Sequence, residues 1–291
     1  MLESDIEVLL LGTAQDGGYP QFGCTCANCK LCYEGKIQPE TPVSLAILDK
    51  RTKNWWLVDA TPQLNQQWAE FALILSEYKL AGVILTHAHA GHYPGILYLG
   101  KECMNANKIP LYASVDMHRF LKANEPWGVM YRNENILQVD VSDKLPFKLT
   151  DTLSVIPHAV RHRADFTDTL AFTFIGEQKR LFFCPDIDAW DGMSESLSAV
   201  ATANDVLLLD ATFYVNNELP GRDTTTIPHP RVVQTVDLLV SSGVLQSQEH
   251  PCAVYLIHIN HSNRLLTDVP LVQSLAEKGI QVGKKGLTWK I

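Results

Sequence analysis

The sequence contains no stretch approaching the ~20 consecutive apolar residues of a membrane-spanning helix, although 46% of its 291 residues are hydrophobic. That lack excludes a helical membrane protein and leaves ample material for a buried core. Runs of lysine or arginine are also missing, and the formal net charge is −8. Sequence-independent binding of nucleic acid needs a basic footprint, so it is excluded as well. A small phosphorylated or carboxylated substrate is not, because a bound cation reverses the field locally. The opening Met1-Leu2-Glu3-Ser4-Asp5 has neither the basic start nor the apolar run of a secretion signal. The expectation is a cytoplasmic protein with a small-molecule substrate and no membrane or nucleic-acid partner; self-association as a homodimer stays open.

Cysteine is scarce too: there are seven, an odd number, and four crowd together as Cys24, Cys26, Cys29 and Cys32. Disulfide scaffolds spread their cysteines along shorter secreted chains, whereas tight clustering points to metal binding or redox chemistry. No internal repeat, low-complexity tract or linker divides the chain. Residues 1–291 therefore read as one domain with an N-terminal cysteine knuckle at about 20–35.

Apolar runs of strand length recur at residues 7–11, 43–48, 55–58, 83–85, 153–156, 170–175, 180–184, 206–209 and 253–257. Leu64, Trp68, Phe71 and Leu75 keep helical spacing, as do Val232, Val236 and Leu239. Helices are expected at roughly 191–202, 230–241 and 270–278. The mixture fits two sheets packed face to face with helices outside better than a regular βαβ alternation.

Two constellations carry chemistry. After the run Val83-Ile84-Leu85, the segment Thr86-His87-Ala88-His89-Ala90-Gly91-His92 places three histidines within six residues. Alternate residues at a strand end point the same way, so His87 and His89 can face one cation, with His92 close by. Neutral imidazole suits zinc, iron, manganese or nickel. The second constellation is Cys24-Thr25-Cys26-Ala27-Asn28-Cys29, a spacing able to wrap three thiolates around one zinc ion, for which Cys32 is a fourth candidate on local spacing alone. His118 and His250 read as histidines satisfied by ordinary hydrogen bonds, and Cys103, Cys184 and Cys252 as buried thiols. His229 could face the pocket but reads first as a polar residue at a helix start, while Arg163 and Arg222 are candidates to clamp an anionic substrate.

The histidine loop resembles the His-x-His-x-Asp-His signature of the metallo-β-lactamase superfamily, with Gly91 where that family has aspartate. The resemblance implies an αββα four-layer sandwich. It also implies a supporting role for Asp59, at the end of Trp56-Leu57-Val58, and further ligands at three later strand ends. These are His162 with His158 as its competitor, Asp186 in preference to Asp188, and His258. One cation would then use His87, His89 and His162, and a second His92, Asp186 and His258. With Gly91 in place of a carboxylate the second position loses a ligand and is expected to bind more weakly. Asp186, His92 and Asp59 are the residues expected to serve catalysis, with Asp186 or a carboxylate such as Asp16 as base.

Some superfamily members pair a similar cysteine knuckle with a histidine just after the last catalytic one, which matches His261 and implies a structural zinc on Cys24, Cys26, Cys29 and His261. The run from Leu11 to Gln21, with 185–190 and 261–263, resembles the pyrroloquinoline quinone biosynthesis protein B group of that superfamily. The expected function is metal-dependent hydrolysis of a small, phosphodiester or ester-type substrate by a metal-activated water, with zinc, iron or manganese at the catalytic site. Iron-dependent hydroxylation of the quinone-biosynthesis type is the alternative, and a non-catalytic metal carrier the second.

Overall fold

The computed structural model describes residues 4–219, 222–247 and 251–291, so His250 lies outside the described residues. Strands β1 (Ile6–Gly12), β2 (Ser44–Asp49), β3 (Asn54–Val58), β4 (Lys79–Ile84), β5 (Ile109–Ala113) and β6 (Ile136–Asp140) form the first sheet. The second takes β7 (Phe147–Lys148), β8 (Ser154–Val160), β9 (Thr169–Ile175), β10 (Arg180–Cys184), β11 (Val206–Asp210), β12 (Ala253–Ile257) and β13 (Ile280–Val282). The last strand, β14 (Thr288–Lys290), returns to pair antiparallel with β1 at the edge of the first sheet.

Period-two alternation decides which side chains go where. Val8, Leu10, Leu45, Ile47, Trp56 and Val58 of the first sheet meet Val155, Phe172, Phe174, Leu181, Phe183 and Leu208 of the second in a dry central layer. Their neighbours Leu9, Leu11, Ala46, Leu48, Trp55 and Leu57 point outward. These are covered by α2 (Leu64–Leu75), α3 (Val115–Ala123) and α4 (Trp127–Arg132). On the far side, Phe182, Leu207, Leu209, Val254 and Leu256 are covered by α5 (Leu197–Ala203), α6 (Val232–Ser241) and α7 (Val269–Glu277). Both faces of each central strand are buried, which is why those strands read as continuous apolar runs. The result is the αββα sandwich.

Strands β3 to β6 run parallel to one another, as do β10 to β13, and β8, antiparallel to β9, points the same way as β10. The carboxyl ends of β3, β4, β8, β10, β11 and β12 carry Asp59, the histidine loop, His162, Asp186, Asp210 and His258 respectively. The remaining short helix, α1 (Ala27–Tyr33), lies within the cysteine loop.

Several expectations need correcting. The helix expected at 191–202 is a single 3-10 turn at Trp190–Gly192 followed by α5, which starts at Leu197 because Ser196 caps it by accepting from Ala199 N–H. Strand β8 extends through Pro157 to Val160 rather than stopping at 156. Cys103 is exposed, unlike Cys184 and Cys252, because it follows a 3-10 helix on the surface. No helix among the described residues is long and apolar enough to cross a membrane.

Candidate metal centre

The loop after β4 is tied down before any side chain is considered. Thr86 O accepts from Leu170 N–H, Ala88 N–H donates to Thr167 Oγ1, and Ala60 N–H donates to His92 O. These bonds join the loop to both sheets. Asp59 and His258 hold left-handed backbone at φ 60° and 58°, which costs a non-glycine residue free energy and is typical of positions where a side chain has to be aimed.

Each imidazole is then oriented through one nitrogen. His92 Nδ1–H donates to Asp59 Oδ2 at 2.7 Å, and the other Asp59 oxygen accepts from Thr86 N–H at 2.9 Å. Thr86 O–H donates to Asp59 and, in turn, Thr86 Oγ1 accepts from His87 Nδ1–H at 2.9 Å. Thr212 repeats the device: its hydroxyl donates to Asp210 at 2.7 Å and accepts from His258 Nδ1–H at 2.9 Å. His162 Nδ1–H donates to Asp188 Oδ1 at 3.2 Å. A ring whose Nδ1 keeps the proton presents Nε2 as a bare lone pair, the arrangement that supporting residues impose on metal-binding histidines.

Those lone pairs converge on Asp186. Its Oδ2 lies 3.3 Å from His87 Nε2, 3.1 Å from His92 Nε2 and 3.3 Å from His258 Nε2. Its Oδ1 lies 3.4 Å from His162 Nε2, which is itself 3.1 Å from His89 Nδ1. Asp16 Oδ1 completes the ring at 3.1 Å from His92 Nε2 and 3.6 Å from His258 Nε2. The donors sort into His87, His89, His162 and Asp186 on one side, and Asp16, His92, Asp186 and His258 on the other.

Six of these atoms are buried with no hydrogen-bond partner among the described residues: Asp16 Oδ1, both Asp186 oxygens, and Nε2 of His87, His92 and His258. Each such orphan costs about 1–3 kcal/mol, so a cluster of them is untenable unless something positive satisfies it. Tetrahedral ligands at the usual zinc–nitrogen and zinc–oxygen lengths sit about 3.3 Å apart, close to the 3.1–3.6 Å between these donors. The donor set therefore fits transition-metal cations. The charge states of His87, His89 and Asp186 agree. Burial holds His87 well below the ordinary imidazole range and pushes His89 down to about 4. Burial alone would raise Asp186, yet the imidazoles around it, His258 and His162 foremost, keep it well below the usual carboxylate range. Neutral His87 and His89 beside an ionised Asp186 are the forms that bind metal. His92, which burial alone would lower, is instead held well above the ordinary range by Asp59, Asp16 and Asp186, so a cation there would displace its proton.

The geometry redistributes several sequence expectations. His162 is in the cluster and His158 is not, its Nε2 lying 2.9 Å from Thr173 Oγ1 on β9. Asp59 and Asp188 face the outer nitrogens of His92 and His162, so both position rings rather than offer oxygens to the centre. His118 is satisfied by Tyr131 and Val139 O. Beside Gly91, where the sequence reading expected a carboxylate to be missing, stands Asp16, with Oδ1 3.1 Å from His92 Nε2. His229 is also more than a helix-start residue: it is buried, faces Asp210 Oδ2 through Nδ1 at 2.8 Å and lies 3.5 Å from Asp186. With it come Asp210 and Thr212, which the sequence reading passed over; the signal for these two was a polar residue at or just past the end of the buried strand β11.

A cleft of about 810 Å³ opens onto this cluster, lined by His89, His162, Asp186 and His229 and, further out, by Phe22, Arg163 and Arg222. Part of its wall is the cysteine loop. There Cys24, Cys26 and Cys29 hold their sulfurs 3.5, 3.5 and 3.6 Å from His261 Nδ1. Zinc–sulfur and zinc–nitrogen bonds at a tetrahedral angle predict about 3.6 Å. Cys32 is not part of the group.

The model of the β-lactamase superfamily domain matches residues 54–259, well over half of the chain. The chain belongs to the metallo-β-lactamase superfamily. The match takes in Asp59, the histidine loop, His162, Asp186 and His258, and leaves out the cysteine loop and His261. Over nearly the whole length the chain is 28% identical to a coenzyme PQQ synthesis protein B of Klebsiella pneumoniae, covering 96% of each, and 27% identical to its namesake from Pseudomonas fluorescens, covering 97% and 98%. Among solved structures, zinc-bound PqqB from Methylobacterium extorquens superposes with a TM-score of 0.81 at 21% identity, over 98% of this chain and 100% of that one. A diphosphatase of the PhnP family superposes at 0.67 with 20% identity, over 98% and 96%. At these identities the superpositions speak for the fold.

Proposed function

We propose that this protein is a metal-dependent hydrolase acting on a small anionic ester, in the first instance a phosphodiester. The observation that carries the reading is the ring of buried, unpartnered donor atoms around Asp186, opening onto a cleft with two arginines. His87, His89 and His162 would hold one cation and Asp16, His92 and His258 the other, with Asp186 common to both sets. Cations bound there polarise a substrate oxygen and bring the pKa of a bound water down to about 7.

The chain's own groups do the rest. Arg163 and Arg222 at the mouth of the cleft draw in an anion that the protein's net charge of −8 would otherwise repel. Asp210 holds His229 at Nδ1, which leaves Nε2 of that ring to hold a proton for a departing alkoxide. Asp59, Thr86, Asp188 and Thr212 fix the rings, so no side chain has to reorganise during reaction. The supporting experiment is a panel of phosphodiesters, thioesters and lactones assayed with protein loaded with zinc or manganese. Turnover of one class, lost in the metal-free protein, is expected; a fully loaded protein inert across the panel overturns the reading.

The similarity to coenzyme PQQ synthesis protein B along almost all of both chains supports a second reading, in which the same centre holds iron and hydroxylates a precursor of a quinone cofactor. Iron in protein purified anaerobically, with oxygen uptake on adding substrate, would favour it. Protein made under iron-replete conditions that carries only zinc would count against it.

A further inference from the structure

The position Gly91 occupies is spatially filled by another part of the chain. A Cβ built on Gly91 would stand 2.3 Å from Asp16 Oδ1, 3.1 Å from Asp16 Cγ and 2.7 Å from Asp16 Cα. A side chain at residue 91 is thus excluded by the same carboxylate that lies 3.1 Å from His92 Nε2 and 3.6 Å from His258 Nε2. Asp16 Oδ1 is buried and has no hydrogen-bond partner among the described residues. Glycine at 91 and aspartate at 16 are one structural fact.

The consequence lies in what holds Asp16. The root of its loop is bonded to the first sheet, where Ala14 N–H donates to Thr41 O and Val43 N–H to Ala14 O. Its far end is tied to the same side, where Tyr19 and Glu40 exchange both backbone bonds, but the residue next to Asp16 turns the other way. Gln15 N–H donates to Ile259 O at 3.0 Å, and Asn260 Nδ2 donates to Gln15 Oε1 at 3.0 Å. The Ile259 and Asn260 segment carries His258 at one end and His261 at the other. His261 in turn faces Cys24, Cys26 and Cys29, and Asn28 Nδ2 donates to His261 O at 3.0 Å. The cysteine cluster therefore grips the two segments that bring Asp16 and His258 together. None of the three imidazoles at the other position, His87, His89 and His162, comes from either segment.

We propose that the second cation position is built on a carboxylate moved from the histidine loop to the N-terminal loop, so that its occupancy depends on the cysteine–histidine cluster while occupancy of the first does not. The inference rests on the metal-centre reading above and deepens it. It makes the thiolate cluster a determinant of how many cations the active site carries, and so exposes one catalytic cation to thiol chemistry.

The test counts and places zinc in full-length protein reconstituted with zinc alone, by elemental analysis and anomalous diffraction. Wild type should hold one ion in the cysteine cluster and two beside Asp186; none beside Asp186 would overturn the metal-centre reading itself. Asp16→Asn, an isosteric change, should empty or weaken the second position about tenfold or more and leave the first within twofold. Gly91→Asp alone should fare no better, because its new carboxylate collides with Asp16. The pair Asp16→Gly with Gly91→Asp should recover the second ion once the loop has retreated a few tenths of an ångström. In Cys26→Ser the second ion should weaken with the cysteine ion while the first stays. If that variant does not fold, wild-type holoprotein treated with a mercurial thiol reagent should release two ions and keep one. Wild-type affinity at the second position in Asp16→Asn, or both catalytic ions retained after loss of the cysteine ion, would overturn the proposal.

Discussion

Among the described residues two clusters of side chains are suited to hold metal, and they differ in almost every physical respect. The cysteine cluster gathers three ligands within six residues of sequence, adds one histidine from far along the chain and offers four donors around one point. The histidine–aspartate cluster draws its donors from the ends of β4, β8, β10 and β12 and from the N-terminal loop, and opens onto a cleft. A closed four-ligand set clamps structure, whereas an open set leaves a coordination position for chemistry. The comparison teaches that the clamp is placed where it can serve the open centre, on the two segments that deliver Asp16 and His258.

The largest effect expected is at the shared ligand. Asp186→Asn should abolish hydrolysis and weaken both catalytic ions by more than the ~10–100-fold typical of losing a supporting partner, while the cysteine ion stays. Elemental analysis with activity measured in parallel checks it, and loss of the cysteine ion as well would break the separation of the two clusters. Next is His229→Gln, which should lower kcat by about 100-fold with all ions retained, as steady-state kinetics on metal-counted protein would show. A smaller loss, about 10-fold in zinc affinity at the second position, is expected of Asp59→Asn, since His92 Nδ1 then loses its anionic acceptor. A competition titration with a chromophoric chelator measures it.

The smallest effect concerns stability near the clamp. Glu40 accepts a hydrogen bond from Thr13 Oγ1 beside the N-terminal loop, and burial pushes its carboxyl up to about 7. A raised carboxyl pKa means the folded state binds more protons than the unfolded one between the ordinary value near 4.5 and about 7. Stability from this group is therefore full below pH 4.5 and is lost as pH rises through 7. Glu40 is only partly buried by surface area, so solvent screening keeps the effect modest. Glu40→Gln should raise Tm by about 1–2 °C at pH 8 and hardly at pH 5, measured by differential scanning calorimetry.

The two clusters also differ in how far the sequence revealed them. The cysteine spacing is local, and three of its four ligands follow from it alone. The histidine loop is local too, and the superfamily resemblance, carried to later strand ends, pointed to His162, Asp186 and His258. Strands β5, β6, β7, β13 and β14 and the helices α1, α3 and α4 were not found. The sequences of these strands mix polar and apolar residues because one face is left partly open, as the alternating exposure of β5 and β14 shows. Asp16, Asp210 and His229 gave no periodic or spacing signal, since what unites them with the centre is contact across strands remote in sequence. Gly91 was legible as a departure but its compensation was not: an absent side chain says nothing about which distant residue fills the space.

The most direct test of the centre itself is anomalous diffraction at the zinc, iron and manganese edges from crystals of protein purified without added metal. The account predicts a peak on each side of Asp186, within bonding distance of His87, His89 and His162 and of Asp16, His92 and His258 respectively, apart from the peak at Cys24, Cys26, Cys29 and His261. A peak at the cysteine cluster alone, with the imidazoles around Asp186 bridged by ordered water, would contradict it.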